Sequence, residues 1–318
     1  MTTSGTKLII AGLAALACGF AAWSYLGGPR ALTSEELAAR YEAPLPPPNG
    51  SLTVFHLGHS LVGRDMPAML AQLAQHDYAS QLGWGTPLKA HWEPDEPIQG
   101  FDVENAHDHF RDAKEALASG DYTAFVLTEM VEVEAAIEYF DAPVYLEKWV
   151  SAARDGNPDI RVFLYETWHD LTDPQGWLTR LDTDPERYWE GILLAQAMAA
   201  NPDDGPIHVI PAGRVMAELV RRIEAGSGVD GITSREDFFA RLDDGSIDPI
   251  HINDLGAYLV ALTHYAVLYQ RSPVGLPAQL DRADGTPAIA PGPDLADLMQ
   301  QTVWDVVSAL PITGIPQN

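Results

Sequence analysis

Cysteine is almost missing: the one thiol in 318 residues is Cys18, inside an apolar N-terminal stretch. The rest of the chain can therefore form no disulfide and no thiolate metal site, and its redox compartment is not written in its residues. Basic side chains are scarce too, 19 against 45 acidic ones, for a formal charge of −26. So acidic a surface repels nucleic acid and anionic headgroups, which excludes both as ligands and leaves solubility as the plain role of the charge. Internal repeats, low-complexity tracts and a second compositional regime are all missing, so the body reads as one domain.

Long apolar runs are missing with one exception. Leu8 to Leu26 carries no charge and follows Lys7. That is the layout of an export signal, with Ala15-Leu16-Ala17 as a cleavage site and Cys18 next. Uncleaved, the same run would span a bilayer with Trp23 and Tyr25 near its outer interface. Residues 1–28 are thus expected to be a signal peptide or a membrane anchor. Either implies an exported body, periplasmic or held to the membrane and facing outside. Residues 29–50 follow as a Pro-rich linker.

Beyond residue 50 the pattern alternates. Strands are expected over residues 52–57, 87–92, 122–127, 160–165 and 207–210, from short runs rich in β-branched, aromatic and aliphatic residues. Helices are expected over 66–79, 103–118, 144–153, 185–200, 214–225, 254–270 and 295–310. Such alternation implies an α/β fold, a mostly parallel sheet covered on both faces, occupying residues 51–318.

Two motifs carry chemistry. Late in the chain stands Asp248-Pro249-Ile250-His251, followed by Asn253, Gly256 and Tyr258. A helix-opening loop can set the carboxylate on one imidazole nitrogen and leave the other free to take a proton. Early in the chain, the first strand runs into Gly58-His59-Ser60. A serine at the carboxyl end of a strand in an open parallel sheet faces the crevice where ligands bind, and Gly58 allows a sharp turn there. The alternative for Ser60 is a simple helix cap. For His251 it is a loop histidine paired for structure alone.

Together, Gly-(His)-Ser-Leu after the first strand and Asp-x-x-His…Gly-x-Tyr-Leu-x-Ala before the last long helix resemble the SGNH/GDSL hydrolase superfamily. The resemblance covers about residues 50–275. It implies a flavodoxin-like three-layer α/β/α sandwich, with Ser60 as nucleophile, His251 as general base and Asp248 as its orienting carboxylate. It also implies an oxyanion hole of three donors: the Ser60 amide, a glycine amide from the second block and an asparagine from the third. Gly85 is the glycine chosen, with Gly83 as the alternative. No Gly-x-Asn follows the third strand; the chain reads Thr128-Glu129-Met130. An ionised carboxylate cannot donate. Either the Thr128 hydroxyl serves, or a protonated Glu129 does, or Glu129 points away and two donors remain.

For substrate binding, His59, Trp92, Glu129 and Trp168 stand at or beyond expected strand ends, where aromatic rings could stack on a sugar. His107 and His109 fall on an expected helix at a spacing that diverges, so no metal is assigned to them. His56 and His59 lack further ligands, so no metal or other cofactor is expected. The resulting expectation is an exported serine esterase acting on a small acyl ester, such as an O-acetyl group on a carbohydrate. An O-acyltransferase using the same residues, or a non-catalytic glycan-binding or assembly protein, are the alternatives.

Overall fold

Five parallel strands form the centre of the computed structural model, which describes residues 30–317. They are β1 (Thr53–His59), β2 (Asp77–Gly83), β3 (Ala124–Leu127), β4 (Arg161–Glu166) and β5 (His208–Pro211). Across the sheet the order is β2-β1-β3-β4-β5, and every neighbouring pair is parallel. Strand order reverses direction at β1 and β3. In open parallel sheets the ligand crevice opens beyond the carboxyl ends at such a switch point.

Side-chain alternation builds the layers. Val54, Val126, Phe163 and Ile210 face one side, under the helices Asp65–Ala74, Ala212–Glu224, Asp254–Tyr269 and Pro293–Ala309. Phe55, Leu57, Phe125, Leu127, Leu164 and Val209 face the other. There they meet Ala113–Ser119, Val133–Tyr139, Ala142–Gly156 and the run 185–200, which is wound as a π-helix over Pro185–Leu194. Both faces are dry, which is why these strands read as nearly unbroken apolar runs. Each fully buried Phe or Leu contributes about 1.5–3 kcal/mol relative to exposure. The core therefore fixes where each strand ends.

A second, two-stranded sheet directly precedes the helix Asp254–Tyr269. β6 (Phe239–Arg241) pairs antiparallel with β7 (Ile247–Ile252). Asp248 and His251 thus stand on a strand, not in the expected helix-opening loop. Asn253 links the two elements. Its side-chain oxygen caps the helix Asp254–Tyr269 by accepting from Leu255 and Gly256 N–H, while its amide donates to Asp237 and Phe239 carbonyls. Gly256 has no room for a side chain: a Cβ would fall 2.6 Å from Ile252 Cβ and 2.8 Å from Phe238 O.

Other expectations are corrected. The helix expected over 66–79 stops at Ala74, Gln75 takes a left-handed φ of 52°, and Asp77–Gly83 becomes edge strand β2. Residues 87–92 are not a strand but contain a helix, Leu88–Trp92, whose first N–H donates to the Glu129 carboxylate at 3.1 Å. The helix expected over 103–118 breaks into Phe101–Glu104 and Ala113–Ser119. Residues between them serve the open edge of β2: the Asn105 side chain bonds both N–H and C=O of Leu82, and Ser80 N–H donates to His109 O. His107 and His109 stand in that loop.

The expected linker 29–50 is packed, in its described part, rather than free. Thr33 caps a helix Ser34–Ala39, Leu37 and Tyr41 are buried, and the Tyr41 hydroxyl donates to Ile207 O at 2.6 Å. Residues 1–28, with their expected signal or anchor, lie outside the described residues. Among the described residues no helix is long and apolar enough to cross a membrane.

Candidate active site

Ser60 follows directly on β1, in a turn whose left-handed residue is Gly63 at φ +59°. His59 holds that turn. Its Nδ1 accepts from Leu61 N–H at 3.3 Å, so Nε2 carries the hydrogen and donates to Glu129 O at 2.8 Å, tying the end of β1 to the end of β3. Burial pushes the His59 imidazole down to about 4, so it stays neutral near pH 7. The Tyr165 hydroxyl braces the same turn by donating to Leu61 O at 3.1 Å. Gly58 is required for closeness rather than for turning: it lies within β1, where a Cβ would fall 2.5 Å from the Thr128 methyl.

The Asp248 carboxylate organises its own strand. One oxygen accepts from Ile250 and His251 N–H, each at 3.0 Å, and the other lies 2.9 Å from His251 Nδ1. Burial alone would raise the Asp248 carboxyl, but these hydrogen bonds and the imidazole hold it below the usual carboxylate range. With Nδ1–H directed at a carboxylate, Nε2 is left as an acceptor. It lies 3.0 Å from Ser60 Oγ. Two residues of β7 and one at the end of β1, 191 positions from His251, thus form one line of hydrogen bonds.

β7 is held in place from β4. Trp168 Nε1 donates to Ile250 O at 2.8 Å and Leu171 N–H to Pro249 O at 2.8 Å. The loop bearing them is pinned in turn by Trp177 Nε1 on His169 O at 3.0 Å. Arg180, buried, reaches Asp173 at 2.7 Å, Asp184 at 2.8 Å and Glu132 at 3.0 Å.

Ser60 and His251 open on a cavity of about 700 Å3, lined also by Gly63, Trp84, Gly85, Glu104, Val131 and Ile250. Gly85, the expected oxyanion glycine, is therefore present. It has a φ of +55°, and a Cβ there would meet nothing within 4 Å. Gly83 is packed instead, with Ile98 and Thr86 each 2.3 Å from where its Cβ would stand. A larger cavity of about 840 Å3 lies at the amino ends of β4 and β5, beside Arg161 and His208, but its one serine, Ser151, donates to Glu147 at 2.8 Å and is not hydrogen-bonded to His208.

The remaining expected site residues are structural in position. Thr128 is not directed at the cavity: its hydroxyl donates to Tyr165 O at 2.7 Å. Glu129 is buried, its Oε1 accepting from Leu88 N–H at 3.1 Å and Met130 N–H at 2.8 Å. His59 and Trp168 are likewise buried and line no part of the cavity. Trp92 packs edge-on against Trp149, centroids 4.9 Å apart, beneath the Lys114 and Lys148 ammonium groups. The exposed aromatic at the cavity is Trp84, which was not anticipated; a tryptophan between two glycines just past a strand end was the available signal.

No protein-family model matches the chain, and no curated protein sequence matches it. Solved structures similar to it include a DUF4886 family protein from Bacteroides uniformis, 14% identical, TM-score 0.48, covering 81% of this chain and 95% of that one. A carbohydrate esterase family 2 enzyme with a carbohydrate-binding domain, from Corynascus thermopiles (Myceliophthora fergusii), is 12% identical, TM-score 0.37, covering 70% and 67%. A protein designated a GDSL-like lipase, from Parabacteroides merdae, is 12% identical, TM-score 0.41, covering 71% and 99%.

Proposed function

We propose that this protein is a serine esterase that removes a small acyl group, such as acetyl, from a carbohydrate hydroxyl. The observation that carries the reading is the Asp248–His251–Ser60 line, with contacts of 2.9 and 3.0 Å, at the mouth of a cavity beyond the end of β1. Ser60 Oγ attacks the ester carbonyl as His251 Nε2 takes its proton, and Asp248 stabilises the imidazolium that forms. Collapse of the tetrahedral intermediate breaks the bond to the sugar oxygen, which leaves with the proton from His251. Acyl-Ser60 remains. Water then gives a proton to the same nitrogen, attacks the acyl carbon and releases the carboxylic acid with Ser60 restored. A second hydroxyl in place of water would make the reaction acyl transfer.

In this reading the oxyanion meets the Ser60 and Gly85 amides, neither of which has a protein acceptor among the described residues. The third donor is missing, since Thr128 and Glu129 are engaged elsewhere. One donor fewer costs about 100- to 1,000-fold in rate, so turnover should be slow. That same gap favours the second reading, a glycan-binding module with a relay but no turnover. Incubation with 4-nitrophenyl acetate separates them. The esterase gives a burst of nitrophenolate and one acetyl group on Ser60 by mass spectrometry; a binding module gives neither. Product analysis with a sugar acceptor present tells hydrolysis from transfer. Export, with residues 1–28 as signal or anchor, belongs to the same proposal, and recovery of the chain in the cytoplasmic fraction alone would contradict it.

A further inference from the structure

Part of the cavity wall is built by residues outside β1 and β7. Trp84 is half-exposed there, and its ring is firmly seated. One face lies on Gly100, at φ +67°, where a Cβ would fall 2.2 Å from ring atom Cδ2. The indole N–H donates to Glu104 Oε1 at 2.7 Å. Glu104 ends the short helix Phe101–Glu104, whose final carbonyls, of Val103 and Glu104, accept from the Arg64 guanidinium. Arg64 follows Gly63 in the stretch that carries Ser60. Ring, carboxylate and nucleophile are therefore tied into one frame.

This wall has a definite chemistry. It offers a flat aromatic surface, and beside it a carboxylate whose second oxygen, Oε2, accepts no hydrogen bond from the described residues. No Lys or Arg is among the residues lining the cavity. An aromatic face takes the C–H face of a sugar ring, and a free carboxylate oxygen takes a hydroxyl donor. A second carboxylate brought in by the ligand would meet the Glu104 carboxylate, while the Arg64 guanidinium is engaged by the Val103 and Glu104 carbonyls and does not line the cavity, on a chain of charge −26.

We propose that Trp84 and Glu104 form the subsite for the alcohol part of the ester, and that they select an uncharged sugar over a uronate. The inference rests on the esterase reading of the same cavity. Binding is measured calorimetrically on Ser60→Ala, with an O-acetylated methyl glucopyranoside and the corresponding methyl glucuronoside. The glucopyranoside binds at least about tenfold tighter, and adding Trp84→Ala weakens it by about tenfold or more. Adding the isosteric Glu104→Gln narrows the preference for the uncharged sugar several-fold. Affinity and preference unmoved by both changes would overturn the proposal. Acylation of Ser60 in the unmodified protein, measured in parallel, keeps the two readings apart. Acylation with indifferent variants defeats the subsite and spares the esterase. Variant-sensitive sugar binding without acylation supports the subsite and defeats the esterase.

Discussion

The two halves of the Asp–His–Ser line are built in different ways. Ser60 rises from β1, a strand paired on both sides and buried at every residue from Val54 to His59. Asp248 and His251 come from β7, where all six residues are only half-buried and the partner is a three-residue strand. The first half is placed by the core, and moving it would open the sheet. The second is placed by a few polar tethers, chiefly Trp168, Leu171 and Asn253. Precision at the site should therefore be lost more easily from the β7 side.

The largest expected effect comes from cutting the line itself. Ser60→Ala, His251→Ala and Asp248→Asn should each lower kcat by roughly 10,000-fold, with double variants no worse than single ones, because the three act as a unit. Steady-state kinetics on an aryl acetate checks this, and additive losses would argue against a shared relay. Next comes Trp168→Phe, which keeps the packing but leaves Ile250 O without its donor. Small displacement of β7 should lower kcat by about 10- to 100-fold with KM little changed. A variant with unchanged kcat would mean that β7 needs no tether.

On the β1 side the expected effects fall on stability. Burial pushes the Glu129 carboxyl up from 4.5 to about 7, against the Met130 and Leu88 N–H groups. The folded protein thus holds this proton longer than the unfolded chain does. Its contribution is fully present below pH 4.5 and is lost as pH rises toward 7, by about 3 kcal/mol in all. Glu129→Gln should remove that slope, read as the difference between the two proteins in urea unfolding at pH 5 and pH 8. The smallest effect is expected from Thr128→Val. It should cost about 1–3 kcal/mol, because Tyr165 O loses its donor, while the folded variant keeps its rate to within about threefold. A loss nearer 100-fold would make Thr128 an oxyanion donor after all.

The same contrast explains what could be read from the sequence. β1, β3, β4 and β5 are dry on both faces, so their apolar runs announced them, and β1 pointed to Ser60. Asp248 and His251 were legible because three residues of spacing let one carboxylate cap its own strand and hold the ring. What stayed hidden depends on contacts distant in sequence. β2 is a polar edge strand whose missing partner is supplied by the Asn105 side chain and the 107–111 loop, which also explains why 103–118 is not one helix. Residues 88–92 turn helical where Glu129, far along the chain, accepts their first N–H. Trp92, Trp168 and Glu129 looked like ligand contacts because they stand near strand ends, yet ends of strands also need bracing. Trp84 is not legible as a cavity wall because the Gly100 surface that seats it lies sixteen positions on.

The most direct test is labelling of the folded protein with a fluorophosphonate, followed by peptide mass spectrometry. The account predicts a single adduct on Ser60, no adduct in Ser60→Ala, and much slower labelling in His251→Ala. Folded protein that acquires no adduct at Ser60 under saturating reagent would contradict it.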